Sequence, residues 1–255
     1  MIALPTTRAV RVWRRDLESW KRFATSFLVA ALSEPVFYLV GIGYGLGRFV
    51  SDFDGVPFPV FLTPGIIAFS AMNSATFETT IGSFTRMSEQ KTYAAILATP
   101  CSVADIVAGD VLWAASKATL SGTAVLLVAT LAGLVHSLWA LVLPAVALLI
   151  GLVFGAMGMV VSSRARAYDF FTYYFTLVIT VMYLFSGVFF PIETLPSWVR
   201  AVAWALPLTH AVAIVRACVH GTVGPLVVVH VLALVAFLAV GYALAVRWVG
   251  RRLIA

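Results

Sequence analysis

Residues 138–163 read LWALVLPAVALLIGLVFGAMGMVVSS, 26 positions without a charged side chain. About 20 predominantly apolar residues suffice to cross the hydrocarbon core of a bilayer as a helix. The stretch lacks the period-two alternation of a barrel strand, and an open sheet cannot satisfy its backbone in lipid. Five further runs share its character: Phe27 to Gly47, Val60 to Gly82, Ile106 to Leu134, Tyr168 to Phe190 and Leu226 to Val246. Across the 255 residues 62% are hydrophobic and 11% charged, with a mean hydropathy of +1.00, too apolar for a soluble core beneath a hydrated surface. An all-α polytopic membrane protein is therefore expected, a single domain over residues 1–255 with six transmembrane helices.

Lys and Arg set the orientation, because positive residues near helix ends are retained on the cytoplasmic side. With the N-terminus inside, thirteen of the 17 fall in inside segments, three (Arg48, Arg200 and Arg216) outside, and Lys117 within the third span. Both termini are then cytoplasmic, in the inner membrane of a bacterium. The formal net charge of +6 hugs helix ends instead of forming a patch with stacking aromatics, so anionic membrane lipids, not nucleic acid, are the expected partners. Cys101 and Cys218 fall on opposite sides and cannot pair. No cleavable signal peptide is expected, since the apolar stretch begins near Phe23 with no small-residue cleavage site after it.

Three segments lie outside the spans. Over residues 6–25, Val10, Trp13, Leu17, Trp20, Ala24 and Phe27 recur at helical spacing among Arg11, Arg14, Arg15, Lys21 and Arg22, the pattern of an amphipathic helix at the membrane interface. Residues 83–105 form the longest polar stretch after it, with a short cytosolic helix expected from Ser88 to Ala98. Arg86, Ser88, Glu89, Lys91 and Thr92 crowd one end of that segment and Tyr93, Ile96 and Leu97 follow, so the helix can dock on a soluble partner. Residues 191–225 are too long for a turn and too apolar for a free loop. Short external helices re-entering the membrane are expected there, before the last span.

No G-x-x-x-x-G-K-[ST] phosphate loop occurs, so no ATP or Mg site is expected in this chain, and any coupling to ATP comes from another subunit. Ionisable residues inside a bilayer are costly and count as functional candidates. Glu34 precedes Pro35 in the first span and Glu78 lies low in the second; each either lines a translocation path or is bonded within a helix seam. Asp110 and Lys117 sit seven residues apart, two turns along one face of the third span. Structural pairing is the plainer reading for Glu78, Asp110 and Lys117. His210, His220 and His230 share no helical face and bring no further ligand, so no metal is expected. Gly151 and Gly155 have the spacing of close helix packing, within the chain or at a dimer seam.

The stretches Phe77-Glu78-Thr79, Gly82-Ser83-Phe84-Thr85-Arg86-Met87, Lys91-Thr92-Tyr93 and Leu97-Ala98-Thr99-Pro100 resemble ABC-2 type permeases. So do Asp105 to Asp110, Leu184-Phe185-Ser186-Gly187-Val188-Phe189-Phe190-Pro191 and Leu206-Pro207-Leu208-Thr209-His210. The likeness is greatest to the nodulation-type branch, the membrane subunits of lipo-chitooligosaccharide exporters, although position 110 is Asp where that branch leads one to expect Glu. The resemblance implies a homodimer of permeases bound to a separate cytoplasmic ABC ATPase that supplies ATP and Mg. The loop between spans two and three, with Arg86, Ser88, Glu89, Lys91, Thr92 and Tyr93, would be its coupling element, and an amphiphile would be exported. A self-contained secondary transporter lacks support from paired broken helices, and an intramembrane lipid-modifying enzyme lacks a catalytic constellation.

Overall fold

A computed structural model describes residues 5–26, 29, 33, 37–45, 47, 49 and 55–254. Among these residues the regular structure is helical. Helix α1 spans Ala9–Trp20. Four helices are long and apolar enough to cross a bilayer: α2 (Phe58–Glu89), α4 (Val103–Leu131), α5 (Leu138–Arg164) and α9 (Pro225–Ile254). Short α3 (Thr92–Leu97) joins α2 to α4. A shorter apolar helix, α6 (Asp169–Phe185), follows α5. The pair α7 (Ser197–Trp204) and α8 (Pro207–His220) is bent by 84°, and counting it as one span gives five. Within the expected first span Tyr38–Gly45 is π-helical, while Glu34 lies outside the described residues.

The 32 residues of α2 extend for roughly 48 Å at 1.5 Å per residue, well beyond a hydrocarbon core of about 30 Å. The helix continues past its expected end at Gly82 to Glu89, accommodating Glu78–Gly82 and Thr85–Glu89 as π-helical turns. The expected Ser88–Ala98 helix is consequently divided. Lys91 adopts a left-handed backbone (φ 51°), ending α2 and starting α3 at Thr92. Ser102 caps α4 by accepting from the Asp105 N–H, while Asp105 accepts the Ser102 N–H, a reciprocal box that fixes the start of that helix.

Helix α2 is central, its apolar length mostly buried, whereas α9 is mostly unburied. Leu62, Ile66, Ala71, Met72 and Ala75 pack with Ala114, Ala118, Ile150 and Phe154 in one core. The seam between α4 and α5 is close because Gly151 meets Ala115 and Ala118; a Cβ at Gly151 would sit 2.6 Å from the Ala115 Cα. That glycine spacing thus serves packing within the chain. Leu226, Val229, Leu232 and Val240 on α9 and Tyr173, Leu177 and Val181 on α6 are exposed apolar groups suited to lipid.

Helix α1 docks on α4 through Ala9, Val12 and Asp16, flanked by Trp13, whose Nε1 donates to Ser116 Oγ at 3.0 Å, and by Trp20, edge-on to Trp113 at 5.8 Å. The contact requires glycine at position 109, where a Cβ would lie 2.5 Å from that of Val12. The packed face is turned from the expected Val10–Trp13–Leu17 stripe: Val10 is 54% exposed, because Asp16 is drawn inward by cations.

Candidate functional site

Where α1, α2, α3 and α4 converge, three carboxylates face three cations. Glu78 binds the Arg86 Nη1 at 2.8 Å through one oxygen and the Lys117 Nζ at 2.7 Å through the other. Arg86 reaches across to Asp110 at 3.1 Å. Asp110 also accepts from Ser83 Oγ at 2.9 Å and from the Tyr93 hydroxyl. Arg15 pairs with Asp16 at 2.7 Å and lies 3.7 Å from the second oxygen of Asp110, while Asp16 is 4.0 Å from Arg86.

The site is deep. Asp110 and Lys117 lie roughly 10 and 21 Å along the axis from the start of α4. Asp110 has no exposed side-chain surface and Arg86 only 14%. Charges this far from water are tolerated only where each finds a partner. Burial first, and then the negative charge of Asp110, pushes the Asp16 carboxyl up from 3.8 to about 7. Burial likewise pushes the Tyr93 hydroxyl up, so it remains a donor to Asp110.

Glu78 and Lys117 pair with each other, whereas Asp110 pairs with Arg86, which links it to Glu78. Glu78 points into the cluster with both oxygens engaged, and Glu34 lies outside the described residues. Of the coupling candidates, Arg86 and Tyr93 are rooted in the cluster, Ser88 accepts from Arg252 at 3.0 Å, Thr92 is half-buried, and Glu89 and Lys91 are exposed. Arg15 and Asp16 were missed because α1 was read as a surface helix; an acid beside the basic residues of that helix is the signal that marks them. At the opposite end, His210 and His230 meet Nδ1 to Nδ1 at 2.8 Å with Trp204 stacked on His230, an encounter of two helices that their spacing along the chain conceals. No group of three or more His, Cys, Asp or Glu suited to a metal occurs among the described residues.

A bundle of span-length apolar helices, with buried charges paired in a cluster and apolar side chains outward, defines a multi-pass membrane protein. The ABC-2 type transporter family model matches residues 7–220, and the chain belongs to that family. It is 41% identical over 242 residues to nodulation protein J of Rhizobium leguminosarum bv. viciae, covering 95% of this chain and 93% of the relative. It is 42% identical over 208 residues to nodulation protein J of Bradyrhizobium diazoefficiens, covering 80% and 78%. Inner membrane transport permease YadH of Escherichia coli is 24% identical over 203 residues, 79% of this chain and 78% of that one. No solved structure matches.

Proposed function

We propose that this chain is the membrane subunit of an ATP-driven exporter in the bacterial inner membrane, working as a homodimer with a separate cytoplasmic ATPase that holds ATP and Mg. Its cargo is an amphiphile, a lipid-linked saccharide, lipo-oligosaccharide or drug. The family resemblance supports the export direction and the ATPase. The Lys and Arg distribution supports cytoplasmic termini and an α1 at the membrane interface. Glu34 remains the carboxylate proposed for the translocation path, while the bonding of Glu78 favours a joint between helices.

One observation carries the coupling reading. The exposed turn Glu89-Gln90-Lys91 is flanked on both sides by residues, Arg86 and Tyr93, that bind the same carboxylate, Asp110. A push on the turn therefore reaches α4 through two anchors. Glu89 and Lys91 meet the ATPase, Ser88 and Thr92 set the turn, and Arg86 and Tyr93 transmit its motion. The double variant Glu89→Lys/Lys91→Glu should lose ATPase co-purification or substrate-stimulated hydrolysis while the permease folds normally. Wild-type values for both would move the coupling role elsewhere, with α1 the next candidate.

A further inference from the structure

The C-terminal ends of α5 and α9 meet at an open cleft lined by Arg164, Arg166, Trp248, Arg251 and Arg252. Arg164 and Arg251 both lay their guanidinium groups over the Trp248 ring, 4.2 and 4.9 Å from its centroid, so two like charges share one indole. Arg252 is engaged within the chain: its Nη1 donates to the carbonyls of Ser162 and Ala165 at 2.8 and 2.6 Å, holding the end of α9 against that of α5. No carboxylate lines the cleft, and among the described residues Arg164, Arg166 and Arg251 take part in no ion pair. Cations gathered without an acid call for an anion from outside the chain, and the guanidinium fork matches phosphate oxygens.

Depth and continuity select the anion. Leu226 to Val246 extends about 30 Å at 1.5 Å per residue, the thickness of the hydrocarbon core, so Trp248 and Arg251 stand just beyond it. Arg164 likewise follows directly on the uncharged run that ends at Ser163. Tryptophan settles at that level, beside the lipid phosphates. Arg251, Leu244 and Val240 are exposed and fall at steps of seven and four, one stripe along α9, the least buried of the four spans. An acyl chain lying on Val240 and Leu244 brings its own phosphate to Arg251. We propose that this cleft holds the headgroup of an anionic phospholipid whose chains lie against α9. None of its lining residues belongs to α1, α3 or the Glu89-Gln90-Lys91 turn. The inference rests on α5 and α9 crossing the bilayer, whichever way the chain faces and whatever meets that turn.

The full chain, without any ATPase, is placed in phosphatidylcholine nanodiscs holding a trace of phosphatidylglycerol or phosphatidylcholine with a photoreactive headgroup, and labelled peptides are mapped by mass spectrometry. The glycerol lipid should label peptides holding 164–166 and 248–252 at least roughly five-fold more than the choline lipid, the preference expected of even one arginine near an anionic headgroup. Arg164→Gln/Arg251→Gln should remove that excess, whereas Arg11→Gln/Arg14→Gln, which lowers the net charge equally, should leave it in place. Trp248→Leu, which takes away the shared ring, should reduce it independently. Equal labelling by the two lipids, an excess that survives Arg164→Gln/Arg251→Gln, or one that falls equally in both double variants overturns the proposal. Glycerol phosphate abolishing the excess would assign the cleft to a soluble anion. No lipid excess, with these peptides protected from hydrogen exchange once the ATPase is added, would assign it to that protein; either also overturns the proposal.

Discussion

At the arginine-rich end, six charged side chains from α1, α2 and α4 close on one another, whereas at the opposite end His210 and His230 share one ring-to-ring hydrogen bond beside Trp204. The two arrangements respond differently to losing a member. Removing one ion from a dry cluster leaves its partners charged and unsolvated, while removing one neutral ring leaves at most a lone polar atom. The end proposed to meet the ATPase is thus built of parts that hold or fail together, which suits a segment that transmits force.

The comparison breaks most directly at Arg86. Arg86→Met strips Glu78 and Asp110 of a shared cation and should cost about 3–5 kcal/mol, the range for orphaning a buried ion. Thermal unfolding in detergent should register a fall in Tm of roughly 10 °C, or the protein should fail to accumulate. A Tm equal to wild type would mean that water already bathes the cluster. Tyr93→Phe is gentler, because Asp110 keeps Ser83 and Arg86; about 1–2 kcal/mol is expected, with transport impaired more than assembly. Equal transport by that variant would remove Tyr93 from the line of force.

Long apolar runs were legible because each carries its own signal. Leu138 to Ser163 became Leu138–Arg164, and Leu226 to Val246 lies within Pro225–Ile254. The cluster was half legible. Asp110 and Lys117 announce themselves by sitting inside a span, but Arg86 lay beyond the expected end of the second span, and only the continuation of α2 through π-helical turns brings it to Glu78. The break at Lys91 was hidden, since lysine carries no sign that its backbone will turn left-handed. Ser102-x-x-Asp105 was a readable cap that the polar character of its loop obscured. Contacts between distant elements, such as Val12 on Gly109 or His210 on His230, leave no periodic trace.

Asp16 sharpens the contrast through pH. Its carboxyl, raised to about 7 in the docked helix, has a usual value of 3.8. Between those values the docked state holds a proton that the undocked chain has released, so docking is most stable below about pH 4 and weakens as pH rises toward 7, by at most about 1.4 kcal/mol per unit. Hydrogen exchange of Ala9–Trp20, corrected for its intrinsic pH dependence, should accelerate over that window. Asp16→Asn, which cannot ionise, should flatten the response. A flat response in the wild type would show that Arg15 and Arg86 hold Asp16 ionised throughout.

The smallest effect is expected at the histidine pair, where the arrangement of partners fixes what each substitution leaves behind. His210 and His230 are 7% and 8% exposed, and only one of the two facing Nδ1 atoms can donate. His230→Leu leaves the His210 Nδ1 without its ring partner and removes a ring stacked on Trp204 at 5.5 Å, for about 1 kcal/mol. His210→Phe has the mirrored consequence for His230. Combining the two replaces both polar partners by apolar groups in a site already bordered by Trp204 and Phe237, and such replacements are nearly neutral. The double variant should therefore be more stable than the two single losses add up to, with a coupling energy of about 1 kcal/mol from a double-mutant cycle on thermal or denaturant unfolding. Strict additivity would mean that the two rings do not share a proton. A double variant as damaged as Arg86→Met would erase the difference between the two ends.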